Sequence, residues 1–158
     1  MKSVSLKEIK LELAARSADD LLAFCLRLSK FKKENKELLT YLLFESFDEA
    51  LYIANVKVEI DLQFDQINKT NYYFIRKSIR KILVNTKKFI RYSQQKETEI
   101  DLLIYFCTKL KLFSPSIIGN TQLQKLFDNQ IVSIRKKVST LHEDLQFDYG
   151  FELDAMKA

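Results

Sequence analysis

Three observations predict an all-α chain. Glycine and proline are nearly absent, since the first of either is Pro115 and the only glycines are Gly119 and Gly150. Turns in the first 114 residues must then be made with Ser, Thr, Asn and Asp, which suits links between helices and not hairpins that need positive φ. Apolar residues recur at spacings of three and four along most of the chain. Residues 66–96 contain nine Lys or Arg and no Asp or Glu, and read as one long amphipathic helix. The expected architecture is a single compact domain over residues 1–150, with six or seven antiparallel helices as an irregular bundle or helical-repeat-like array. Residues 151–158 are expected to form a frayed tail. At 158 residues, about 70% of the unfolded chain's surface can be buried without staples.

Ser5 and Glu8 have capping-box spacing and open a first helix with Leu6, Ile9 and Leu13 on one side. Ser17 restarts the pattern, with Asp19 and Asp20 in the first turn and Leu21, Cys25, Leu28 and Phe31 spaced as a core stripe. After a basic and polar link, residues 38–44 are apolar nearly all round and are expected to be covered on several sides. Ser46 and Glu49 repeat the capping-box spacing, opening a helix to about residue 67 with Leu51, Ala54, Val58 and Leu62 inward. In the basic helix Tyr72, Ile75, Ile79, Ile82, Leu83, Phe89 and Ile90 fall within an arc of about 120°, the expected buried face.

Glu97 and Glu99 begin the next helix, whose residues 102–107 are consecutively apolar. Residues 114–120 form the clear loop, and a last helix is expected from Thr121 to about Tyr149, stopped by Gly150. Its residues Phe127, Ile131, Ile134, Val138, Leu141 and Leu145 alternate spacings of four and three. Packing of this seam against the chain's own helices is expected, with a homodimer through residues 127–145 as the other use. A partial echo relates Asp20-Leu21-Leu22 with Phe24-Cys25 to Asp101-Leu102-Leu103 with Phe106-Cys107.

The charge pattern supplies the binding candidates. Arg76, Lys77, Arg80, Lys81, Lys87, Lys88 and Arg91 fall within an arc of about 140° opposite the apolar one, with Tyr73 and Val84 among them. The rest of the chain holds 17 basic against 21 acidic residues, so the net charge of +5 conceals a dipolar molecule. A cationic face with an aromatic on it suits phosphates and an unpaired base. A solvated helix face looks the same, and acids of the preceding helix, Glu59, Asp61 and Asp65, would neutralise the arc across an antiparallel hairpin.

Catalytic constellations are not found. The clustered glycines of a P-loop, a dinucleotide-binding loop or a nucleophile elbow are missing. His142 is the sole histidine, and His142-Glu143 fails the HExxH pattern because position 146 is Gln. No metal or cofactor is expected. Cys25 and Cys107 lie in apolar runs without CxxC spacing, as reduced core thiols would. No apolar leader follows Lys2 and no uncharged run approaches a bilayer span, so a cytoplasmic location is expected. The expectation is a non-enzymatic helical interaction module for a protein partner. The alternative is a nucleic-acid-binding protein using the basic helix over residues 70–93. Third is an acid/base hydrolase using helix-borne carboxylates such as Asp61 and Asp65.

Overall fold

The computed structural model describes residues 1–157, the last by its backbone alone, so the final residue of the expected 151–158 tail lies outside the described residues. Every regular element among them is helical, and the chain is all-α as its sequence predicts. The helices are α1 (Leu6–Ala14), α2 (Ala18–Phe31), α3 (Lys33–Thr40), α4 (Glu49–Asp65), α5 (Tyr72–Ser93), α6 (Lys96–Lys111), α7 (Thr121–Val138) and α8 (Glu143–Lys157). A π-helical turn, Tyr41–Glu45, follows α3. The contacts cluster into two compact units, residues 1–44 and the residues from 45 onward.

In the first unit local signals act as read. The Ser5 hydroxyl accepts from the Glu8 amide while the Glu8 carboxylate accepts from the Ser5 amide, completing the capping box of α1. Ser17 caps α2 through the Asp20 amide. The expected burial does not follow. None of the residues of α1, α2 or α3 is buried, and Leu6, Ile9, Leu13, Leu28 and Phe31 are all exposed. Leu42, Leu43 and Phe44, expected to be covered, are exposed as well, and Cys25 is an exposed thiol instead of a core one.

In the second unit α6 is the centre. Its Ile100, Leu102, Leu103, Phe106, Cys107 and Leu110 are fully buried. Helices α4, α5, α7 and α8 all pack on it. Chain direction can be read from paired residues. Along α4 and α5, Tyr52 bonds the Phe89 carbonyl and Gln63 bonds Asn85, so one number rises as the other falls and the hairpin is antiparallel. Along α6 and α8, Asp101 meets Tyr149 while Lys111 meets the Ala155 carbonyl, so these two are parallel.

Three boundaries differ from the sequence reading. Asp48, not Ser46, caps α4, its carboxylate accepting from the Leu51 amide at 3.0 Å. Glu49 is drawn away from capping because it accepts from Ser93 Oγ and from Thr98 Oγ1, the latter at 2.6 Å, across to α5 and α6. The basic helix is shorter than residues 66–96: Asn71 caps its start, and Gln94, at φ 59°, ends it in the left-handed region. The expected last helix is two. Ser139 and Thr140 hydroxyls donate to the Lys136 and Lys137 carbonyls at 2.7 Å, and Gln146 Nε2 caps the Leu141 carbonyl at 2.7 Å. Glu143 and Asp144 then start α8 with favourable charge. Gly150 lies inside α8, and the helix continues through the expected frayed tail, with Leu153 buried.

The seam of α7 packs inside this unit, with Phe127, Ile131, Ile134 and Val138 buried. The helix breaks after Val138, so the four-three stripe of residues 127–145 is divided between α7 and the start of α8. In α4 the inward row is Tyr52, Val56, Ile60 and Phe64, one or two positions on from that expected, while Leu51, Val58 and Leu62 are 55%, 59% and 50% exposed. Both rows are apolar, and the larger residues with the Tyr52 hydroxyl decide which is buried.

Two outcomes follow from this packing. Ile60→Ala should lose about 2–5 kcal/mol in urea unfolding, whereas Val58→Ala should change stability by less than about 1 kcal/mol. Burial pushes the Cys107 thiol up to about 12, so a thiol reagent near neutral pH should modify Cys25 alone, with Cys107 reacting only after denaturation.

Candidate binding surfaces

Asn71 fixes the start of α5 and the row Ile75, Ile79, Ile82, Leu83, Thr86 and Ile90 buries one side of it. The opposite side is left to solvent. Tyr73, Lys77, Arg80, Lys81, Lys87 and Arg91 are exposed, while Arg76 and Lys88 are half-buried. All eight predicted site residues therefore share one helix face. Tyr73 is 61% exposed and packs edge-on against Phe74, with ring centroids 5.4 Å apart. Lys88 Nζ lies 4.9 Å from the centre of the Phe89 ring.

Six of the seven cations on this face, Arg76, Lys77, Arg80, Lys81, Lys87 and Arg91, form no ion pair among the described residues, with the acids of α4 or any other. Asp61 points to α6, where it pairs with Lys109 at 2.9 Å and accepts from the Tyr105 hydroxyl at 2.7 and 2.8 Å. Glu59 accepts from Gln63 on its own helix at 2.8 Å. Glu59 and Lys81 line opposite walls of the shallow α4–α5 groove without joining, and Gln63 meets Asn85 across it at 3.1 Å.

Burial raises the Asp61 carboxyl, but hydrogen bonds from Lys109 and Tyr105 and the charge of Lys109 outweigh it and hold the group below the usual carboxylate value. Burial, with the hydrogen bond to Asp61 and the charge of that carboxylate, pushes the Tyr105 phenol up to about 12. Burial and the Asp101 carboxylate raise the Tyr149 phenol on α8 in the same direction. A general acid needs a raised carboxyl, so Asp61 is tuned the wrong way for that work. Asp65 is exposed and forms no ion pair among the described residues. His142 faces Asp144 at 3.5 Å on the surface. Among the described residues no three His, Cys, Asp or Glu side chains gather as a metal site. No helix among them is long and apolar enough to cross a membrane.

A second surface escaped the sequence reading. In the first unit α1 and its flanks, with Phe24 of α2, border an open groove of about 510 Å³ lined by Val4, Ile9, Leu11, Leu13 and Phe24 and edged by Glu8, Glu12 and Arg16. Leu22 and Leu26, off the main stripe of α2, are exposed too. The signal for this was present: α2 is apolar on more than one side, and residues 41–44 on every side, which is more apolar surface than these short helices can cover.

No protein-family model matches the chain, and neither characterised proteins nor solved structures supply a significant match.

The Asp61 geometry sets a pH dependence. Its carboxyl is depressed in the folded state, so its stabilising contribution is present above the unfolded value of 3.8 and is lost as pH falls through the folded value. Asp61→Asn should therefore lower urea stability at neutral pH, and its difference from wild type should shrink as pH falls below the unfolded value of 3.8.

Proposed function

We propose that this chain is a non-enzymatic interaction module whose N-terminal helices dock a protein partner. The observation that carries the reading is that α1, α2 and α3 bury none of their residues, although each is amphipathic. Isolated helices of 8 to 14 residues are marginal in water, and helical stability normally comes from covering the apolar face. Contiguous exposed apolar surface of this kind marks interaction sites.

The α1–α2 groove favours an amphipathic helix as the docked element. Its apolar lining accepts spaced Leu- or Phe-like anchors, and because Glu12 is paired with Arg16 at the same edge, Glu8 is the acid that favours a basic residue on the incoming helix. The Ser5 bonds lower the Glu8 carboxyl, which keeps that edge negative near neutral pH.

The test separates partner docking from internal packing. Proteins crosslinked to the full chain in its native cells are identified, purified and titrated against wild type and a Phe24→Asp, Phe31→Asp double variant. Binding should fall by more than tenfold with the thermal midpoint unchanged, because an exposed anchor contributes to the complex alone. An unchanged affinity would overturn the reading. A large drop in midpoint would overturn it too, since the two side chains would then be packed within the chain.

A further inference from the structure

We propose that the furrow between α5 and α7 binds the sugar–phosphate backbone of a nucleic acid, through cations contributed by both helices. Helix α5 is antiparallel to α4. Tyr105 and Thr98 of α6 bond Asp61 and Glu49 of α4 in rising order, so α4 and α6 are parallel and α5 opposes α6. Helix α7 opposes α6 as well, because its C-terminal Lys137 pairs with Glu99 near the α6 N-terminus at 3.0 Å. Helices α5 and α7 consequently run in the same direction. In their N-terminal halves Arg80 Nη2 donates to Gln122 Oε1 at 3.2 Å, and the Tyr72 hydroxyl at the start of α5 donates at 3.0 Å to the carbonyl of Ser116, in the loop that leads into α7.

That register decides which cations face each other. At 100° per residue, Arg76, Arg80, Lys87 and Arg91 lie within about 60° of one another on the α5 edge that meets Gln122. On α7, Lys125 and Lys136 lie within about 60° of Gln122, and both are exposed. The four α5 cations span about 22 Å at a rise of 1.5 Å per residue, and Lys136, fourteen residues past Gln122, comes level with the C-terminal end of α5, so the six border one furrow of about 27 Å. Asn129, exposed between the two lysines, adds a neutral hydrogen-bonding group.

Acids are excluded from both walls. Helix α5 contains none, and the single acid of α7, Asp128, lies about 120° from Gln122, on the side where Arg135 pairs with Asp154 of α8. The acids of the unit sit mainly on α4 and α8, the other two helices around α6. None of the furrow's cations forms an ion pair among the described residues. A row of unpaired cations with amides between them matches a ligand whose negative charge repeats at short intervals, and releasing its condensed counterions supplies the affinity. An acidic protein surface presents charge in patches and relies on an apolar centre, which this furrow does not concentrate.

Fluorescence anisotropy of the full chain with a labelled single strand and a labelled duplex, each about 20 nucleotides long, tests the assignment, with polyglutamate of equal charge as competitor. Micromolar or tighter binding is expected at about 0.15 M salt. The Arg80→Gln, Arg91→Gln and the Lys125→Gln, Lys136→Gln double variants should each weaken it at least tenfold and flatten the log–log salt slope by about two units. Helicity should be unchanged in both. Lys77→Gln, Lys81→Gln, on the α4 edge of the same helix, should have a clearly smaller effect. The tighter of the two nucleic acids is the form the furrow takes. The assignment is overturned by binding weaker than about 100 μM to both, which leaves a solvated face, or by equal competition from polyglutamate, which points to an acidic protein. An α7 variant indistinguishable from wild type overturns it as well, because the site would then be α5 alone.

Discussion

Enclosing α6 is the constraint on which the second unit depends. The fully buried residues Ile100, Leu102, Leu103, Phe106, Cys107 and Leu110 cover about 160° of α6 and leave the half-buried stripe of Asp101, Tyr105 and Thr108 toward water, so other helices must pack around most of it. Each such side chain contributes about 1.5–3 kcal/mol on removal from water, which makes this burial the main source of stability in the unit. Direction and rotation are then set by polar bonds at the rim of α6. Thr98 meets Glu49, Glu99 meets Lys137, Asp101 meets Tyr149 and Tyr105 meets Asp61, so that α4, α7 and α8 are each keyed to it by at least one side-chain bond.

This enclosure also sorts the charges. The outer helices turn one apolar row inward, and what remains outside is whatever the sequence placed there. For α5 that remainder is cationic, and for α8 it includes Glu143, Asp144 and Asp148. Because Asp61 is committed to Lys109 and Tyr105, the α4 acid best placed to bond across to α6 is unavailable to α5. The basic side of the unit is thus a consequence of where the acids are engaged.

Periodicity and caps made most helices legible. The Ser5 and Ser17 starts, the apolar run of α6, the α7 seam through Val138 and the buried face of α5, except for its exposed Tyr72 and half-buried Phe89, follow from local pattern. What failed was burial, because burial belongs to the partner surface and not to the helix that supplies the side chain. The echo between Asp20-Leu21-Leu22 and Asp101-Leu102-Leu103 makes the point: Leu102 is fully buried, while Leu22 is exposed. The row chosen in α4 was likewise decided by α5 and α6, through Tyr52 and Phe64. The cationic candidates on α5 were found from sequence, whereas Lys125 and Lys136 required the Arg80–Gln122 contact that relates two helices.

The caps of the N-terminal helices bear on how fast and how tightly they associate. The Ser5–Glu8 box, the Ser17 cap and the i,i+4 pairs Glu12–Arg16 and Lys33–Glu37 hold these helices by bonds internal to each segment. These local bonds favour the helical shape before encounter without completing it, so part of the ordering entropy that a disordered recognition segment loses on binding is still lost here. Docking then couples helix ordering to surface burial, and the heat-capacity change exceeds what the buried surface alone would give.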